Sequence, residues 1–144
     1  MAAPPYKITY RFPGTPRSVP RARTALREVL GGWGSPKEQL ETAALLLSEL
    51  MGNAVLASEE REQPVGVRLG LRGGVLRIDV SDAGVGVPLP RTPGSDEEHG
   101  RGLFLVQYLA DRWGFEPGDG GCGKTVWCEL GNSAESGRAD GTAP

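Results

Sequence analysis

The stretch VGVRLGLRGGVLRIDVSD, residues 65–82, decides the fold class of this chain. Apolar residues alternate with Gly, Arg, Asp and Ser on both sides of the glycine pair at 73–74, which is typical of two half-buried strands joined by a two-residue turn. With that turn Leu71 faces Leu76, so the apolar residues of both strands share one face. The same alternation carries Asp82 onto that inner face, where a carboxylate needs a partner.

The segments around this hairpin indicate three helices and two further strands. Residues 6–12 and 125–130 alternate as strands do, whereas the apolar residues of 18–30, 36–58 and 103–113 recur at helical spacing. The order strand, helix, helix, hairpin, loop, helix, strand is typical of an α+β chain. We therefore expect a two-layer α/β sandwich, with a mixed, mostly antiparallel sheet and helices on one face.

Composition favours one cytoplasmic domain. The chain has 144 residues and a net charge of -2, which argues against binding to nucleic acid. The longest unbroken apolar run, residues 43–47, is far too short to cross a membrane, and the N-terminus lacks a secretory signal. Two cysteines, Cys122 and Cys128, predict neither a disulfide framework nor a zinc site. We expect a domain over 1–131 and a disordered tail over 132–144.

Glu49 and Asn53 form the first group of residues with chemical potential. They lie one turn apart on the same face of the second helix, in an otherwise apolar stretch. If they line a polar cavity, Asn53 can offer an oxygen to Mg²⁺ and Glu49 can deprotonate an attacking hydroxyl. The helix alone is equally compatible with a Glu49 that faces solvent and an Asn53 that hydrogen-bonds nearby backbone.

Two glycine-containing loops form the second group. Gly84 and Gly86 follow Asp82 and let the backbone approach a ligand closely, while Asp82 can accept a hydrogen bond from an exocyclic amine such as that of adenine. The segment Gly100-Arg101-Gly102-Leu103 opens the third helix, so its free N–H groups and its arginine suit a phosphate. Between these motifs, residues 83–100 have no apolar period and are a candidate lid.

Residues 118–125 match the phosphate-loop pattern G-x-x-x-x-G-K-[ST] letter for letter. A phosphate loop needs a strand before it and a helix after it. Here a predicted helix precedes the segment and a predicted strand follows, so we reject that interpretation.

Four segments in this order resemble the GHKL superfamily of ATP-binding domains, the Bergerat fold, and more narrowly the bacterial anti-sigma-factor serine/threonine kinases. They are the N-box at 48–55, the G1 box at 80–88, the G2 box at 100–114 and a closing strand at 123–127. The resemblance covers residues 6–131.

The resemblance implies a role for each matching residue. Asn53 would ligate Mg²⁺ between the phosphates of ATP, and Glu49 would be the general base for phosphoryl transfer to a protein hydroxyl. Asp82 would bind the adenine amino group, in a pocket shaped by Gly84 and Gly86. Further residues would complete the nucleotide site: Gly100, Arg101 and Gly102 over the phosphates, and Thr125 along the adenine.

The resemblance also implies partners, namely a sigma factor and an anti-anti-sigma protein that carries the target Ser or Thr. Relatives often form homodimers, although no interface follows from this sequence. Ala57 stands where relatives often carry His, and the chain has no helix pair with a phosphoacceptor His. The alternative function is a non-catalytic ATP-dependent switch that binds a protein.

Overall fold

The computed structural model describes residues 6–58, 63–82, 105–118 and 123–131. One five-stranded sheet has the order β1-β2-β3-β5-β4, and all four pairings among these strands are antiparallel. Two long helices pack on its inner face, which confirms the α+β sandwich, although no parallel pair occurs among the described strands. The elements are β1 (Tyr6–Phe12), α1 (Ser18–Gly32), α2 (Lys37–Ser58), β2 (Val65–Arg72), β3 (Val75–Asp82), β4 (Arg112–Pro117) and β5 (Lys124–Leu130).

The β2–β3 hairpin has the predicted register. Leu71 pairs with Leu76, and the apolar residues of both strands point into the core. Gly73 and Gly74 have φ angles of 59° and 83°. Positive φ at both positions is what a type I′ turn requires, and its twist matches that of the strands.

The helix α2 forms the centre of the core. By length and composition alone it would pass for a membrane-spanning helix, with a mean hydropathy of 1.3, which was not expected from its longest apolar run. In the described part of the chain it lies between α1 and the strands β2, β3 and β5, so burial on several sides explains its apolar character. Its fully buried side chains include Leu46, Leu47, Leu50 and Met51.

Two contacts fix where the helices lie on the sheet. Gln39, in the first turn of α2, donates through Nε2 to the carbonyl oxygens of Gly74 and Leu130, both at 3.1 Å. The start of α2 is therefore tied to the hairpin turn and to the end of β5. At the other side of the sheet, Trp33 after α1 stacks on Tyr6 of β1 with ring centroids 5.3 Å apart, which places α1 over the β1 edge.

The predicted third helix is wrong at its C-terminal end. Residues 105–109 are helical, but Trp113 lies in β4, an edge strand that the helical interpretation missed. Most side chains of β4 are exposed, and its apolar alternation is limited to Trp113 and Phe115, so the strand signal in the sequence is weak. Pairing with β5 determines its conformation instead.

Candidate functional site

The second half of α2 and the end of β3 lie at the same end of the molecule. Both elements start at the hairpin turn, because Gln39 is bonded to Gly74. Asn53 is 14 residues beyond Gln39 (53 minus 39), about 21 Å along a helix. Asp82 is 8 residues beyond Gly74 (82 minus 74), about 26 Å along a strand. The two motifs that are distant in sequence therefore reach a similar level in the fold.

Glu49 and Asn53 project from the flank of α2 that α1 leaves uncovered. On the covered flank, the Arg23 guanidinium donates to Ser48 Oγ at 2.8 Å. At 3.6 residues per turn, Glu49 and Asn53 lie roughly 100° and 140° around the helix from Ser48. Both are half-buried. Because α1 lies over the β1 edge, their flank faces the β3–β5 side of the sheet.

Among the described residues Asn53 forms one side-chain hydrogen bond, and that bond fixes the orientation of its amide. Its Nδ2 donates to the Glu49 carbonyl oxygen at 3.0 Å. A carbonyl can only accept, so the NH₂ group must face the helix backbone and Oδ1 must point away from it. Both interpretations of Asn53 are thus compatible: it bonds neighbouring backbone, and it presents an oxygen of the type that Mg²⁺ prefers.

Within the described residues, no group of three His, Cys, Asp or Glu side chains is close enough to hold a metal ion. Asn53 would be one protein ligand of a magnesium ion here. That fits the usual behaviour of Mg²⁺, which binds one or two protein ligands and completes its shell with phosphate oxygens and water.

Glu49 has a carboxyl group whose proton affinity is altered by its surroundings. Partial burial raises its pKa from the ordinary value of 4.5, because the charged form loses hydration. A raised pKa makes a carboxylate a stronger base near neutral pH. A raised pKa is compatible with the general-base role of Glu49, which stays a prediction.

Asp82 points into the core side of the sheet, as the hairpin register predicted. Its side chain is 2% exposed and accepts a contact at 3.2 Å from Nζ of Lys124, whose side chain is 11% exposed. The two residues are direct partners in the β3–β5 pairing. Lys124 was missed as a site residue, although its alternation with Val126 and Cys128 along β5 could have revealed its inward direction.

Thr125 lies on the opposite face of the sheet from Asp82. It pairs with Ser81, and their hydroxyl oxygens are 2.7 Å apart on the outer face. The structure thus brings Asp82 together with Lys124 and not with Thr125. The adenine contact that the resemblance implies for Thr125 stays a prediction.

The remaining predicted site residues lie outside the described residues: Gly84, Gly86, Gly100, Arg101, Gly102 and Leu103. Around the segment that matches a phosphate loop, strands β4 and β5 stand on either side, and Gly118 N donates to Gly123 O at 2.9 Å. A strand follows where a phosphate loop needs a helix, so its rejection is confirmed, although the preceding element is β4 and not a helix.

The outer face of the sheet is charged and largely satisfied by its own contacts. The guanidinium of Arg77 lies 4.3 Å from the ring centroid of Trp127 and pairs with Asp79 and Glu129. Gly114 of β4 lies beneath the same ring, and a Cβ there would come within 2.8 Å of it.

Cys128, on the buried face, is no nucleophile at neutral pH, since burial above all and Asp79 raise its pKa to about 12.

Comparisons with known proteins agree with this architecture. The family model for the histidine kinase-like ATPase domain matches residues 12–129. A comparison with curated proteins finds no significant match.

Two solved structures share the fold at low sequence identity. The RsbU and RsbW domains of Rv1364c from Mycobacterium tuberculosis align with a TM-score of 0.64 and 22% identity, over 89% of this chain and 32% of that one. The chain therefore spans about a third of that relative. The SiaB–SiaC complex from Pseudomonas aeruginosa aligns with a TM-score of 0.60 and 9% identity, over 85% of this chain and 88% of that one.

Proposed function

The chain belongs to the histidine kinase-like ATPase domain family, and on that premise we propose that it binds ATP with Mg²⁺ and acts as an anti-sigma factor and serine/threonine kinase. Its substrate is a Ser or Thr hydroxyl of an anti-anti-sigma protein, and it works in the cytoplasm. The observation that carries the proposal is Asp82, a buried carboxylate at the same end of the fold as Glu49 and Asn53. That arrangement supplies an acceptor for an adenine amine, a base and a cation ligand.

The proposed reaction transfers the γ-phosphoryl group. The substrate hydroxyl oxygen forms a bond to the γ-phosphorus, the bond from that phosphorus to the β–γ bridging oxygen breaks, and ADP leaves. Glu49 accepts the hydroxyl proton. Asn53 Oδ1 would hold the magnesium ion, which neutralises phosphate charge when bound. Asp82 binds the adenine ring, at the end of the nucleotide opposite the γ-phosphate.

The partner class is supported by the resemblance of the four boxes to anti-sigma-factor kinases. The similar structures include an RsbW domain and SiaB, and SiaB was solved in a complex with SiaC. A protein partner for this fold is therefore a reasonable expectation. The sigma factor and the homodimer rest on the resemblance alone.

The test is phosphoryl transfer by Glu49→Gln, with Glu41→Gln as the matched control. Glu41 is an exposed residue on the flank of α2 that faces α1, where it pairs with Arg27 at 3.4 Å. We expect Glu49→Gln to slow transfer to the partner by at least ~100-fold while the Kd for ATP changes less than ~3-fold. Glu41→Gln should leave both quantities unchanged.

Acid should slow the wild-type reaction in a way that follows from the Glu49 pKa. Because burial raises that pKa above 4.5, the basic form is lost at a higher pH than for an exposed glutamate. The rate should therefore fall as the pH drops through this raised pKa, and Glu49→Gln should lack that dependence. Wild-type transfer rates in Glu49→Gln would refute the base role. ATP binding without transfer from the wild type would favour the non-catalytic switch.

A further inference from the structure

Lys124 is placed where only a paired lysine is tolerated. It enters β5 directly opposite Asp82, with its side chain on the core side of the sheet and 11% exposed. Lysine is almost never buried to this degree unless its charge is matched. The 3.2 Å contact with Asp82 Oδ1 supplies the match. The pair therefore sets a cation and an anion side by side at the end of the sheet where Glu49 and Asn53 also lie.

The ammonium group of Lys124 has more donors than the described residues satisfy. It carries three N–H bonds, and Asp82 Oδ1 is its single acceptor among the described residues. Asp82 itself has a further interaction beyond this pair. Because donors removed from water are costly when unmatched, an acceptor from a ligand would be favourable next to this ammonium.

We propose that Lys124 reads the nucleobase together with Asp82, an inference that rests on the proposed function. The Watson–Crick edge of adenine carries the N6 amine, a donor, beside ring nitrogen N1, an acceptor. The pair offers the complementary order: Asp82 accepts from N6, and Lys124 Nζ donates to N1. Lys124 is thus a specificity-determining residue for adenine.

Atom deletion in the nucleotide tests this without altering the protein. Binding to the wild-type chain is measured by calorimetry with Mg²⁺ and ATP, 1-deaza-ATP, which lacks N1, or purine riboside triphosphate, which lacks the amine. We expect 1-deaza-ATP to bind about 10-fold more weakly than ATP, because the Lys124 hydrogen bond is lost. Purine riboside triphosphate should also bind at least ~10-fold more weakly, because the proposed hydrogen bond from the N6 amine to Asp82 is lost.

A variant shows whether the lost contact belongs to Lys124. Lys124→Met should bind ATP about 10-fold more weakly and should no longer discriminate between ATP and 1-deaza-ATP by more than ~2-fold. The matched control is Lys7→Met, which removes an exposed lysine from the outer face of β1. Its affinities for both nucleotides should equal those of the wild type.

The outcomes separate this inference from the proposed function. Equal affinity of the wild type for ATP and 1-deaza-ATP would overturn the role of Lys124 and leave ATP binding intact. Tighter ATP binding by Lys124→Met would also overturn the role of Lys124, since the wild-type lysine would then occupy the adenine position and have to move before ATP binds. Absence of any ATP binding to the wild type would overturn the proposed function, and this inference with it.

Discussion

The two faces of the β3–β5 pair differ sharply although their residues are sequence neighbours. On the inner face, Asp82 and Lys124 form an ion pair whose side chains are 2% and 11% exposed. On the outer face, the pair between Asp79 and Arg77 has side chains that are 14% and 38% exposed and includes a cation–π contact. Three residues along β3, from Asp79 to Asp82, thus separate the partly solvated pair from the buried pair. The alternation of side chains along a strand therefore places similar charged residues in environments of different solvent exposure.

The free energies attached to the two faces should differ accordingly. Removing one partner of a buried pair leaves a charge without compensation and typically costs about 3–5 kcal/mol. A solvated pair contributes only about 0–1 kcal/mol, because water screens it. Charged groups that are removed from water also form strong hydrogen bonds with a bound ligand. The inner face is therefore the candidate site.

The largest expected effect separates Lys124→Met from Arg77→Met. We expect Lys124→Met to lower the free energy of unfolding by about 3 kcal/mol, since it removes the ion-pair partner of a buried carboxylate. Arg77→Met should lower it by about 1 kcal/mol, because its ion pairs are partly solvated and its stacking on Trp127 is modest. Urea unfolding at neutral pH measures both. Equal losses would mean that the two faces are not energetically distinct.

Thr125→Val should have the smallest effect, and it tests the contact with adenine that the resemblance implies. The substitution removes the hydroxyl that lies 2.7 Å from Ser81 Oγ on the outer face. We expect the free energy of unfolding to fall by about 1 kcal/mol and the Kd for Mg-ATP to change less than ~2-fold. A 10-fold weaker affinity would instead place Thr125 at the nucleotide, and the nucleotide site would then not be confined to the inner face.

Much of this comparison was accessible from sequence. The glycine turn fixed the hairpin register, and the register carried Asp82 inward without any knowledge of relatives. The helical spacing of Glu49 and Asn53 likewise predicted a shared flank. Local periodicity was sufficient in these cases, because burial on one face imposes the same repeat on sequence and structure.

The parts that failed depend on tertiary pairing. In the edge strand β4 the apolar alternation is limited to Trp113 and Phe115, and Trp113 also fits the helical spacing of Val106 and Ala110, so it was assigned to a helix. Lys124 was noted as part of the rejected phosphate-loop pattern and of the closing strand at 123–127, and its contact with Asp82 appears only once β5 lies beside β3. The order of strands in the sheet depends on contacts between residues far apart in sequence, so a short sequence window does not reveal it.

The most direct test of a nucleotide site on the inner face is calorimetric titration of Mg-ATP into the wild type, Asp82→Asn and Asp79→Asn. Asp79 is the matched control, because it lies on the outer face of the same strand. Thermal melting of each variant checks that it is folded at the titration temperature. We predict that the wild type binds, that Asp82→Asn binds at least ~10-fold more weakly, and that Asp79→Asn stays within ~3-fold of the wild type. Equal affinity of a folded Asp82→Asn and the wild type would contradict the assignment of the site.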